Sequence, residues 1–368
     1  KGTLGNTSPL IVVDGIADRS FSRLNSEDVE SISVLKDASA AIYGARAANG
    51  VILVTTKRGK EGKVKLNYSG NVSFSQPTRV PKMLNAYQYA TYVNEFDAAQ
   101  GNSLTYPETA LTKIKDGSDP INYPDTNWWN AVAKDWATNT EHSLAISGGN
   151  EKISFYSSAQ YMYQDVIYKN SPQNYNQYQF STNLDAKITK AIKFGFDILG
   201  RQTVDNRGVR TTEDLFSYFL TTSPMSAPYY PNGLLRTGYD GITNNAVLMV
   251  SDLPGTSKTT NNTLNLKPKI RIDLDVITPG LYAEGYAALD YTFNNGKTTN
   301  TPYDIYSYDS VSGEYTNQRD ATGSVSVSSW SSNSSSITLN VRIGYSHLFN
   351  NAHQINAFVA YEQNKYHY

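Results

Sequence analysis

The stretch Ser31–Lys57, SISVLKDASAAIYGARAANGVILVTTK, decides the reading of this chain. Two short apolar runs, Ile32 to Leu35 and Val51 to Val54, have strand length and β-branched content. Between them lies a run of small residues. Asp37 is placed to cap a helix of one to two turns over residues 38–43. Gly44 then stands where a helix end turns left-handed, and Gly50 where the chain re-enters extended structure. The expected unit is strand, helix, strand, packed by alanines. Upstream, Leu10 to Val13 reads as another short strand turned by Asp14-Gly15, and Ser26-Glu27-Asp28 as a brief helical turn.

Beyond the charged hinge Gly59-Lys60-Glu61-Gly62-Lys63 the period becomes 2. Val64, Leu66, Tyr68, Val72 and Phe74 alternate with polar residues. So do Leu281, Ala283, Gly285, Ala287, Leu289, Tyr291 and Phe293, and Ile337, Leu339, Val341, Ile343 and Tyr345. About nine such strands are expected in all. Between 76 and 140 the spacing of Ala86, Tyr89, Ala90, Val93 and Phe96 predicts one helix capped by Asn85. The connections alternate in length. Those near 148–151, 189–191, 277–280 and 350–352 are short, whereas those over 76–140, 205–262 and 295–335 are long. A soluble β-sandwich also alternates within its strands, but it does not require this rhythm or ionisable residues opposite nearly every apolar face. An outer-membrane barrel with long extracellular loops and a wet lumen requires both.

The composition narrows the function. The 368 residues carry 32 Lys and Arg against 33 Asp and Glu, a net charge of −1, which gives no basic face for nucleic acid. There is no Cys, so disulfides and thiolate metal sites are excluded. No apolar run reaches the length of a transmembrane helix, which leaves barrel strands as the only way across a bilayer. Tyr is abundant, at 28 residues, and suits membrane interfaces. None of the four His has His-Glu-x-x-His spacing, and no Gly-x-Ser-x-Gly elbow occurs. The carboxylates Asp273, Asp275, Glu284 and Asp290 offer a hydrolase-like pairing, but lumen polarity accounts for them without catalysis. No enzyme, cofactor or metal is called for. In the loops, Trp128, Trp129, Tyr229 and Tyr230 are placed either to stack on a ligand such as a sugar or to anchor their segments; for the Trp pair, anchoring is the commoner outcome.

Four blocks occur in order: PLIVVDG at 9–15, DVESI at 28–32, LKDASAAIYG at 35–44 and AANGVI at 47–52. They resemble the plug domain of TonB-dependent outer-membrane transporters of the SusC/RagA type. Asp125-Thr126-Asn127-Trp128 and Ser147-Gly148-Gly149-Asn150 are similar to that group's first barrel segments. The resemblance implies a mainly β fold: a transmembrane antiparallel β-barrel of the kind that closes with about 22 strands, carrying a small α+β plug at the N-terminus. It implies that residues 1–60 end the plug and 61–368 begin the barrel, with Asp14, Gly15, Asp37, Tyr43, Gly44, Asn49 and Gly50 as plug motif positions. The start at Lys1, just before the first block, leads to the expectation that the chain holds only part of the plug and barrel, with any TonB box upstream. The function implied is energy-coupled import of an oligosaccharide or peptide across the bacterial outer membrane. The implied partners are TonB with ExbB–ExbD, a SusD-like surface lipoprotein and outer-membrane lipid. A soluble β-rich binding or adhesion module is the alternative.

Overall fold

The computed structural model describes residues 8–367 apart from 20, 22, 37, 210–214, 216–217, 219–220, 239–244, 320 and 351–352; residues 38, 39, 41, 42 and 45 are described by backbone alone. The described residues form a four-stranded sheet, a nine-stranded sheet and a two-stranded ribbon.

The small sheet is built from β1 (Leu10–Val13), β2 (Ile16–Ala17), β3 (Val29–Leu35) and β4 (Val51–Thr56), in the order β2-β1-β4-β3. β1 and β2 form a hairpin turned at Asp14-Gly15, where both residues have positive φ. β1 runs parallel to β4, and β3 antiparallel to it. The helical segment expected between β3 and β4 is present, but as 3-10 winding over Ala38–Ala47, broken by Gly44 at φ 70° and ψ −160°. Each half is too short for an α-helix, and tight winding lets Ala40 and Ala47 tuck against Leu10, Val12 and Val51. Gly50 has φ 90°, and a Cβ there would lie 3.0 Å from the Leu35 carbonyl oxygen, so only glycine fits this return.

The large sheet takes β5 (Gly62–Ser75), β6 (Ala137–Gly149), β7 (Ile153–Asp165), β8 (Asn174–Lys187), β9 (Ile192–Gly208), β10 (Gly255–Asp273) and β11 (Leu281–Asn300) in sequence. After the ribbon of β12 (Ile305–Tyr308) and β13 (Tyr315–Arg319) it continues with β14 (Ser326–Phe349) and β15 (His353–His367). Each strand pairs antiparallel with the next in line. The short connections 150–152, 188–191, 274–280 and 350–352 therefore fall at one end, and 76–136, 166–173, 209–254 and 301–325 at the other.

Register lines up chemistry across strands. Leu266, Leu289 and Ile337 sit side by side on one face. Asn183, Asp197 and Lys267 sit side by side on the other. The apolar face is bare: Leu66, Phe180, Leu289, Leu339, Val341 and Ile343 are all exposed. The polar face is covered by the small sheet, and Gln177, Gln179, Asn183, Asp197 and Lys267 are buried there. This arrangement inverts a soluble protein and matches lipid outside and water inside.

Two sequence expectations are corrected at the long-loop end. The strands run further than the alternation predicts: β11 reaches Asn300 and β14 begins at Ser326, so 295–300 and 326–335 are strand rather than loop. Apart from Val327 and Trp330, both faces of these extensions are polar. A strand standing clear of the bilayer needs no apolar alternation, so its period is invisible in sequence. The segment 76–136 holds three helices where one was expected: α1 (Ala86–Ala99), α2 (Glu108–Asp116) and α3 (Trp128–Val132). α1 has the predicted Asn85 cap, completed by Gln88 into a capping box. α2 buries only Ala110 and Ile114, too thin a stripe to register as a period.

A lysine on the bare face at Val341, near the middle of the apolar band of β14, should destabilise the sheet by about 2–4 kcal/mol in a bilayer. The urea midpoint for folding of the Val341→Lys variant into lipid vesicles measures this.

Candidate functional site: the interface between the small domain and the wall

Around the small sheet, the buried cluster of Leu10, Val12, Ala40, Ala47 and Val51 includes no residue of the large sheet, although Val13, Ile16 and Val54 are buried outside that cluster. The two bodies meet through polar groups, in two chemically different patches.

The first patch is uncharged on the wall side. The 3-10 turn Ser26–Asp28 is capped by Asn25, whose side chain accepts from the Glu27 N–H. That places Asn25 and Asp28 against β6, β7 and β8. Asn25 Nδ2 donates to Ser143 Oγ at 2.9 Å. The Asp28 carboxylate accepts from Tyr156 Oη at 2.8 Å, Ser158 Oγ at 2.8 Å and Ser181 Oγ at 3.0 Å. Asn25 is 0% exposed and Asp28 3%. Gln177 Nε2 donates to the Arg23 carbonyl at 3.2 Å.

Ionic contacts make up the second patch. Arg19, just past the β1–β2 hairpin, donates to Asp290 Oδ1 from Nη2 at 2.6 Å and from Nε at 3.0 Å, and Asn265 supports the same oxygen at 2.6 Å. Lys267 Nζ donates to the Asp14 carbonyl at 2.6 Å and lies 4.3 Å from the centre of the Tyr286 ring. Arg58, just past β4, forks onto both oxygens of Asp197 at 2.8 and 2.9 Å. Lys269 pairs with Asp185 at 2.8 Å beside it. Burial alone would pull the Arg58 pKa down, but the hydrogen bond and charge of Asp197, with Asp185 and Asp14, raise it above its ordinary value. The guanidinium stays charged at any physiological pH.

A cavity of about 990 Å³ remains beside these patches, lined among others by Tyr43, Arg46, Lys267, Lys269, Tyr286 and Arg342.

The sequence-predicted site residues fall into three groups. Asp14, Gly15, Tyr43, Gly44, Asn49 and Gly50 all lie in the small domain, and Asp37 lies outside the described residues. Asp14 ties the β1–β2 turn to the end of β4, its carboxylate accepting from the N–H and hydroxyl of Thr56 at 2.9 and 2.8 Å. Trp128 and Trp129 come together in a buried cluster with Tyr168, Leu215, Tyr218 and Met249. Trp128 is 3% exposed and donates from Nε1 to the Ser223 carbonyl at 3.1 Å, so it anchors its loop and has no free face. Tyr230, at 5% exposure, packs among Tyr308, Tyr315 and Arg236. Tyr229 alone of the four is well exposed, at 42%.

The carboxylates read as a hydrolase-like set are held elsewhere: Asp290 by Arg19, Glu284 by Arg271 and Arg342, Asp273 by Lys193 and Arg271, and Asp275 by the Gly280 N–H. The sequence reading singled out neither Arg19 nor Arg58; Arg46, another cation of the small domain, pairs with Asp18 within that domain. The available signal was the charge on the inner faces of β9 to β11. Buried wall carboxylates demand a cation from whatever fills the lumen.

A wall with a bare apolar outer face and a separately folded domain set on its charged inner face defines a plugged outer-membrane β-barrel. A family model for the TonB-dependent Receptor Plug Domain matches residues 2–51. TonB-dependent receptor P26 of Formosa agariphila is 36% identical over 201 residues, covering 53% of this chain and 19% of that protein. TonB-dependent receptor SusC of Bacteroides thetaiotaomicron is 33% identical over 190 residues, covering 49% of this chain and 17% of that protein. Among solved structures, the RagAB peptide importer in its open-open state superposes with a TM-score of 0.76 at 22% identity, covering 98% of this chain and 41% of that one. The chain thus spans less than half the length of the proteins it matches. Residues 2–51 match the plug domain of TonB-dependent receptors, about half of the chain is similar in sequence to the SusC kind of receptor, and its place is the bacterial outer membrane.

Replacing Arg58 with alanine leaves Asp197 and Asp185 with only the lysines Lys269 and Lys267 nearby and should weaken plug docking by about 2 kcal/mol. Arg58→Lys should recover only part of this, because an ammonium cannot fork. The urea dependence of proteolysis within the plug reads both effects.

Proposed function

We propose that the protein imports a large nutrient, an oligosaccharide or peptide, across the outer membrane in an energy-coupled step. In this reading residues 1–60 belong to the plug and 61–368 to the barrel wall. The long connections, expected over 76–140, 205–262 and 295–335, face the cell exterior. The observation that carries the reading is the nature of the plug–wall contact: hydrogen bonds and ion pairs, with no wall residue in the plug's buried apolar cluster. Such a contact can break and re-form without exposing an apolar core to water, which a gate must do repeatedly. A large purely apolar contact would behave as a permanent core.

The SusC-type similarity supports a SusD-like surface lipoprotein over the long loops and TonB with ExbB–ExbD on the periplasmic side. Tyr229, the exposed member of the predicted aromatic set, is the first candidate for stacking on a substrate.

A strain lacking the gene, with and without plasmid-borne receptor, should differ in growth on a panel of oligosaccharides and peptides as sole nutrients. Removal of TonB should abolish the same growth. Uptake that persists without TonB would rule out energy-coupled import.

A further inference from the structure

Asp28 combines three features that set it apart from the other plug–wall contacts. Its carboxylate is buried and accepts from three uncharged hydroxyls on two adjacent wall strands, Tyr156 and Ser158 on β7 and Ser181 on β8, with the neutral Gln179 side chain of β8 beside them. Both oxygens are used, Oδ1 by Tyr156 and Oδ2 by the two serines. Its backbone is tied into the plug, since the Asp28 N–H donates to the Asn25 carbonyl at 3.0 Å and its own carbonyl accepts from the Lys57 N–H at 2.8 Å, joining the start of β3 to the end of β4. Asp28 is thus fixed to the plug sheet through its backbone and to the wall through its side chain.

The contacts on β10 and β11 are of another kind. Arg19 reaches Asp290 from a turn beyond the hairpin, and Lys267 reaches back to the Asp14 carbonyl. Each rests on a long flexible side chain and on charge. When such a pair opens, the long Arg19 or Lys267 side chain can swing its charged head toward water while its backbone stays in place. A buried carboxylate among hydroxyls has no such exit: losing one donor leaves the charge under-solvated while the others hold it in place. The two edges of the plug should therefore release at different loads.

We propose that Asp28 is the positioning residue on which the plug pivots: the ionic edge at Arg19–Asp290 opens first, and the clamp on β7 and β8 holds the plug in register as a passage forms at the opposite side. This deepens the import reading and rests on it, because a pivot matters only if the plug moves.

Amide hydrogen exchange on the purified receptor in detergent tests the idea without any cargo. Asp290→Asn should speed exchange of the Asp18 amide, next to Arg19, by about tenfold while the Asp28 and Lys57 amides keep their wild-type rates. Asp28→Asn removes the charge and one of the two acceptor oxygens that the hydroxyls share and should speed all three. The Leu10 amide, bonded to the Gly50 carbonyl within the plug's apolar cluster, should stay slow in both, which separates release from unfolding. If Asp28→Asn does not yield folded receptor, Ser158→Ala combined with Ser181→Ala removes two donors from the wall instead. The proposal is overturned if Asp290→Asn frees the Asp28 and Lys57 amides as much as Asp18, or if loss of the clamp leaves Asp18 at its wild-type rate. Lost uptake alongside intact exchange asymmetry would count against import and not against the order of release.

Discussion

The inner face of the wall buries ionisable groups that a half-filled lumen could not tolerate, and the plug answers them. Asp197 meets Arg58, Asp290 meets Arg19, and Lys267 meets a backbone carbonyl and an aromatic face. An isolated buried charge is costly, so neither body has a satisfactory inner surface without the other. The mutual need fixes how the plug is seated. It also explains why the plug can be small: its own core is little more than a cluster of alanines, valines and one leucine.

The outer face obeys the opposite rule. Leu66, Phe180, Leu339 and Val341 stand bare because lipid, not protein, completes their environment. Backbone groups within a bilayer have no water to fall back on, which is why each strand from β5 to β15 in the large sheet pairs continuously with the next. Where the strands rise past the apolar band, the side chains turn mostly to Ser, Thr and Asn, with Val327 and Trp330 the apolar exceptions on β14, and the ladder keeps them extended.

Above the wall, the long connections are knitted together. Trp128 of α3 packs with Tyr168, Leu215 and Tyr218, and the ribbon β12–β13 packs its tyrosines on Tyr230. Arg236 donates to the Ile121 carbonyl and so joins two of these segments directly. The cap has cores of its own, which removes Trp128 and Tyr230 from any direct role on a ligand and leaves Tyr229 facing out.

Much of this was legible in the chain. Period-2 alternation located the wall strands because lipid and lumen impose opposite chemistry on alternate residues. The Asn85 cap and the small residues at 38–43 announced their helical segments, the second of which runs on to Ala47, and the alternation of short and long connections announced the barrel topology. The residues that hold the plug were not legible: Arg19, Asp28 and Arg58 are separated from their partners by more than a hundred residues, and nothing local marks a charge that will be buried. Sequence determined which residues face lipid, since that choice is made strand by strand. Only the tertiary structure decided which charges meet across the interface and which aromatics are sealed in the cap, because both depend on surfaces that exist only after distant segments have folded against each other.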